Sequence, residues 1–307
     1  MPEYTENTIQ FGIGVSNAVP DIAQTMKVVA AADRAGLDYF SVSDHPYIGR
    51  MLDAYSLVGV LLGRTQRISG MVNVSNLPTR PAPMLARAVT SLSALTGGRV
   101  VLGLGAGGSW DDIARLGFPR LSGGEAVRAF EEAFTVIRSL TGGGAPVTFD
   151  GEFYHLDRVE PAAVAAPPIW TGSVGAKSLA VTGRQADGWI PGHAADWLSV
   201  RYRESRPIID EAAQAVGRDP RAVATVYNLP GRISATPLAS TRDQDGRWLG
   251  GSVAQWVAEL TGAVLEHGAG GFTYFAVGDL PVERASALWA EEIAPGVREA
   301  LAKATPA

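Results

Sequence analysis

The sequence predicts a single-domain (β/α)8 barrel, an α/β fold of the TIM type. Short β-rich runs alternate with helical patterns along the whole chain, as parallel strands joined by helical crossovers require. The alternation counts to eight units within 307 residues, the repeat number of a closed barrel. No linker or shift of composition divides the chain, so residues 1–307 read as one domain.

The first unit is "IQFGIGV" (9–15), followed by "DIAQTMKVVAAADRAG", where Asp21 can cap the helix and Gly36 can end it. "DYFSVSD" (38–44) precedes a helix from about Asp53 to Arg64. "RISGMVNV" (67–74) leads into "PAPMLARAVTSLSAL", with prolines where a first turn tolerates them. "RVVLGLG" (99–105) reaches, through a loop, the helix "GEAVRAFEEAFTVIRSL". The fifth and sixth strands are "PIWTG" (168–172) and "DGWIP" (187–191), the latter followed by a helix from about Ala195 to Val216. "AVATVYNLPG" (222–231) and "GFTYFAV" (271–277) complete the set. Two insertions interrupt the repeat. "PVTFDGEFYHL" (146–156), after the fourth unit, places Asp-Gly between two β-rich runs and reads as a hairpin. "ATPLASTRDQDGRWLGG" (235–251), after the seventh strand, is long, polar and glycine-rich, as substrate-contacting loops are.

Composition narrows the function. Hydrophobic residues make up 46% of the chain, enough for a large core. A formal net charge of -5 offers no basic face for nucleic acid. The chain has no cysteine, which removes disulfides, thiolate metal sites and a cysteine nucleophile together. No ligand spacing for a metal is present, and no apolar run approaches a membrane span. The N-terminal segment lacks the features of a secretory signal. A cytoplasmic protein acting on a small molecule is the expectation.

"GLGAGG" contains Gly103, Gly105 and Gly108 as G-x-G-x-x-G, the spacing of a dinucleotide loop. That loop belongs in the first βα turn, with an acidic residue about 20 positions on at the end of the next strand. Here the glycines follow the fourth strand, and Glu125 begins a helix. Close approach of a ligand to the backbone at the barrel mouth explains them better; tight turns alone are the alternative. Catalytic groups of a barrel lie at the C-terminal ends of the strands. His45 and His193 follow strands two and six and belong there. His267 ends a helix on the opposite face, and His155 lies on the hairpin with no assigned role. "TGSVGAKS" ends a strand and opens a helix, so free N–H groups and Ser173 can form an anion site beside Lys177. An ordinary capped turn is the alternative. No nucleophile motif or carboxylate pair stands out, which leaves the chemistry to a cofactor.

"ADRAGLDYFSVSDHPY", "NLPTRPAPMLARAVTSLSALTGGRVVLGLGAG" and "PIWTGSVGAKSLAVTGRQADGWIP" resemble the luciferase-like flavin-dependent oxidoreductases, barrels that bind FMN or the deazaflavin F420. The resemblance implies that Asp44 and His45 lie beside the reactive part of the ring. It implies that Asn73 and Val74 form the bulge behind it, where relatives often carry a cis non-proline peptide. Gly105, Ala106 and Gly107 would border the ring or its side chain, and Thr171, Gly172, Ser173, Gly175 and Ala176 would hold the phosphate. Ala176 departs from the proline frequent at that position. The reaction implied is monooxygenation of a small apolar or aromatic substrate with reduced FMN and O2. F420-dependent hydride transfer is the alternative, and a flavin-binding barrel without turnover is a second. Tyr47, Trp110 and His193, with Trp189, Tyr227 and Trp248, are candidate substrate walls, with plain core as the alternative for some of these rings. A homodimer and a separate flavin or F420 reductase are the partners the resemblance adds.

Overall fold

The computed structural model describes residues 9–304. In chain order the elements are β1 (Gln10–Gly14), α1 (Ile22–Ala35), β2 (Tyr39–Val42), α2 (Ala54–Leu62), β3 (Ser69–Asn76), α3 (Ala82–Thr96) and β4 (Val100–Gly105). Next come α4 (Trp110–Arg115), α5 (Gly123–Ser139), β5 (Val147–Asp150), β6 (His155–Val159), β7 (Ile169–Thr171), α6 (Ala176–Gln185) and β8 (Gly188–Trp189). The last are α7 (Val200–Ala215), β9 (Ala224–Ile233), β10 (Gly250–Gly251), α8 (Val253–His267), β11 (Ala269–Ala276), α9 (Val282–Leu288) and α10 (Ala294–Ala304), with a π turn at Trp289–Ile293.

Eight parallel strands close in the order β1-β2-β3-β4-β7-β8-β9-β11, with β11 pairing back to β1. All eight expected units are present. β5 and β6 form the antiparallel hairpin, held to α5 by Glu132, whose carboxylate accepts from the backbone N–H groups of Glu152, Phe153 and Tyr154. In the second insertion, β10 pairs in parallel with the end of β9.

Local chemistry explains the boundaries. Gly36 ends α1 in the left-handed conformation, φ 85°. Asp21 precedes that helix without capping it, because its carboxylate accepts from the Ser16 hydroxyl instead. Glu125 joins Ser122 in a capping box at the start of α5, an architectural role rather than a ribose contact. α7 begins at Val200, later than the expected 195, because Asp196 turns the chain by accepting from Leu198 N and Ser199 supplies the cap.

Alternation along the strands divides inside from outside. Tyr39, Met71, Val101, Trp170, Ile190 and Val226 fill the lumen, and the Tyr39 hydroxyl bonds that of Thr273 across it. The intervening residues, such as Phe40, Leu102 and Phe272, face the helical layer and form the main core. This packing fills the lower barrel.

Candidate active site

β3 shapes the mouth. Its register with β4 slips between Val72 and Ser75, and the Asn73–Val74 peptide within this bulge is cis. Val74 is thereby brought among glycines. A Cβ on Gly105 would lie 2.7 Å from Val74 Cγ2, and one on Gly172 would lie 3.2 Å from it. A Cβ on Gly103 would lie 2.0 Å from the Val72 carbonyl oxygen. Gly103, Gly105 and Gly172 let β4 and β7 approach this bulge, whereas a Cβ on Gly108 would meet nothing within 4 Å. Gly107, at φ 112°, lies under the Trp110 indole and beside Pro78.

Asn73 marks the floor. Its Nδ2 donates to Asn228 Oδ1 at 3.0 Å, joining β3 to β9, which stand on opposite sides of the ring of eight strands. Ser41 Oγ lies 3.5 Å from the same nitrogen.

The rim comes from the β2–α2 connection. His45 is exposed, and its Nδ1 lies 2.9 Å from the Tyr47 hydroxyl. Asp44 is buried and fully engaged: it accepts from Arg80 Nε at 2.7 Å, Arg80 Nη2 at 2.8 Å and Asn76 N at 2.9 Å. Arg80 also reaches Asp53 at 2.5 Å and covers the Tyr55 ring. Burial disfavours the guanidinium charge, but the two carboxylates outweigh it and hold Arg80 well above its ordinary pKa. Asp44 therefore anchors the loop that presents His45, and the imidazole is the group open to a ligand.

Across the mouth, His193 is exposed and stands edge-on to Phe275, ring centroids 5.0 Å apart. Desolvation there lowers its pKa, favouring the neutral imidazole. Its loop is tied to the second insertion by Arg242, which bonds Asp196 at 2.6 Å and Glu259 at 2.5 Å between the rings of Trp197 and Trp248.

At the β7–α6 turn, Gly175 is the N-cap and supplies no side-chain cap, so the first N–H groups of α6 remain for an anion. Gly175, Ala176 and Lys177 are exposed. Ser173 is braced from below: its hydroxyl meets Thr182 Oγ1 and its carbonyl accepts from Trp189 Nε1 at 2.9 Å. Thr171 turns outward to the Thr182 hydroxyl at 2.8 Å and supports this turn from behind.

Three expected walls are elsewhere. Trp189 and Tyr227 are wholly buried and face the helices, because β8 and β9 point Gly188, Ile190, Val226 and Asn228 inward instead. Trp248 packs edge-on against Trp256 in the outer core. Tyr47 and Ala106 are half-buried on loops of the C-terminal face, and Trp110 is half-buried at the start of α4. Sequence reasoning missed Arg80, Asn76 and Asn228. Asn76 Oδ1 is buried without a donor; its place after the bulge was the available signal.

Comparison with known proteins supplies the class. A family model described as luciferase-like monooxygenase matches residues 7–274, and the chain belongs to that family of oxidoreductases. A 5,10-methylenetetrahydromethanopterin reductase of Methanolobus tindarius is 31% identical over 211 residues, 68% of this chain and 60% of the relative. An F420-dependent glucose-6-phosphate dehydrogenase of Nakamurella multipartita is 29% identical over 194 residues, 61% of this chain and 57% of the relative. The chain thus spans about three fifths of the length of each. Among solved structures, a riboflavin lyase with modified FMN has the same fold, with a TM-score of 0.79 at 12% identity over 96% of this chain and 92% of that one.

Proposed function

We propose that the protein is an F420-dependent oxidoreductase that uses His45 as its proton carrier. The observation that carries this reading is the division of labour at the rim: Arg80 and a backbone N–H occupy the Asp44 carboxylate, whereas the imidazole beside it is open. The site also fits a flat tricyclic ring. Val74 offers an apolar surface flanked by glycines that a Cβ would obstruct, and Asn76 Oδ1 is a buried acceptor that a ring N–H would satisfy.

When bound, F420 supplies or accepts a hydride equivalent. Gly172, Ser173, Gly175, Ala176 and Lys177 would hold its phosphate through backbone N–H groups and the α6 dipole. Gly105, Ala106 and Gly107 would border its side chain. Tyr47 orients His45 through Nδ1, which leaves Nε2 to exchange a proton with the substrate.

F420 is favoured over FMN by the curated relatives, since the glucose-6-phosphate dehydrogenase similar to this chain carries F420 in its name. Reduced FMN with O2 is the second reading, favoured by the family description and the likeness to the FMN-bearing riboflavin lyase. The test is oxidation of reduced F420 under strict exclusion of oxygen with a panel of carbonyl compounds. Substrate-dependent oxidation is expected. Turnover only with reduced FMN and O2 would replace this reading with the second.

A further inference from the structure

We infer that Asn228 is the specificity-determining contact for the substrate, and that the substrate is a neutral ketone, aldehyde or secondary alcohol whose oxygen the Asn228 amide nitrogen holds. This inference rests on the cofactor assignment above and extends it to the other half of the mouth.

The mouth has two unlike halves. Where β3, β4 and β7 end, Gly103, Gly105 and Gly172 surround Val74 and strip the surface of side chains, as a flat ring requires. Where β8, β9, β11 and β1 end, the structure provides side chains instead: His193, Asn228 and Phe275. Gly14 serves that half, because a Cβ there would lie 2.1 Å from the Phe275 ring. With the ring on the glycine side, a second molecule meets the β9 side.

Asn228 stands at the base of that side and is only 8% exposed. Asn73 donates to its Oδ1, which fixes the amide with Nδ2 turned to the remaining space. Among the described residues, Nδ2 has no acceptor. An amide donor with no acceptor from the protein is free for a ligand acceptor, and a site built around it discriminates against ligands that lack one. Phe275 and the edge of His193 line the approach and favour a compact apolar body next to the oxygen. Arg80 and Arg242, the partly buried cations of this face, are each held between two carboxylates, so neither is free to pair with a charged substrate.

The test uses the whole protein loaded with oxidised F420 and cyclohexanone as the probe, with binding read from deazaflavin absorbance. Asn228→Asp keeps the oxygen that Asn73 needs and replaces the donor; Asn228→Ala removes the side chain without adding charge. Cofactor affinity, measured first, should stay within twofold of the parent in Asn228→Asp, while cyclohexanone binds at least about tenfold more weakly in both variants. Unchanged probe affinity would overturn the inference, as would absence of saturable probe binding to the parent protein. A loss of cofactor affinity that equals or exceeds the loss for the probe would assign Asn228 to the ring. Failure of the parent to bind F420 counts against the cofactor assignment alone, and the same titration is then made on protein loaded with FMN.

Discussion

The two ends of the barrel use charged side chains differently. At the N-terminal end, charges satisfy backbone groups, and Asp38 and Asp187 also pair with Arg298 and Arg138. Asp33 accepts from Gln66, Arg67 and Ile68 N–H, Asp38 accepts from Phe11 N, and Asp187 accepts from Ile169 N. Arg99 donates to the carbonyls of Leu62, Thr65, Ile68 and Thr96. At the C-terminal end, arginines hold pairs of carboxylates: Arg80, from the segment after β3, bonds Asp44 and Asp53 of the β2–α2 connection, and Arg242 joins Asp196 of the loop after β8 to Glu259 of α8. The first arrangement fixes strand ends. The second fixes loops while leaving glycine turns and a helix N-terminus open to a ligand.

Substitutions on the two ends should therefore fail in different ways. The largest effect is expected for Arg80→Met, which leaves Asp44 buried without its cation. A loss of about 3 kcal/mol in denaturant stability should accompany weaker F420 binding, since the His45 loop loses its anchor; loss of stability with full affinity would separate the two. Next is Asp33→Ala, which strands three backbone donors. We expect about 2 kcal/mol of destabilisation, with the turnover of the folded protein unchanged. Although burial opposes its charge, the backbone donors and Arg99 set the Asp33 pKa below the ordinary carboxylate value. Its stabilisation is thus complete above pH about 4 and is lost as pH falls through the depressed folded value. Denaturant midpoints of parent and Asp33→Ala measured at pH 7 and at progressively lower pH should converge on the acid side.

His45→Ala should do the reverse of Asp33→Ala. Turnover should fall about 100-fold while the melting temperature holds; turnover within a factor of two of the parent would remove His45 from the chemistry. The smallest effect belongs to Lys177→Ala, in the first turn of α6. Cofactor Kd should rise roughly two- to fivefold, less at high salt, as an exposed charge near a helix terminus implies.

Pattern alone made the architecture readable. Eight strand-helix units, the Asp-Gly hairpin and the helix whose first turn holds Glu125 all follow from local chemistry. Much of the mouth was readable through topology and resemblance, including His45, Val74 and the β7–α6 turn. What was not readable is what the closed ring brings together. Asn73 and Asn228 are distant in sequence and meet only across the lumen, and Arg80 gives no sign in its own segment that it will reach Asp44. Trp189 and Tyr227 misled because a strand end does not reveal which alternate residues face inward. The register of β9 decides it: Val226 and Asn228 face the lumen, and the large ring between them packs outward.

The division of the mouth into a glycine half for the ring and a side-chain half for the substrate is tested most directly by F420 affinity in Gly172→Val. Deazaflavin fluorescence gives the Kd, and an unchanged melting temperature confirms the fold. Branched methyl groups beside Val74 should obstruct the ring and weaken binding by at least about tenfold. Affinity equal to that of the parent protein would contradict this placement and place the cofactor elsewhere.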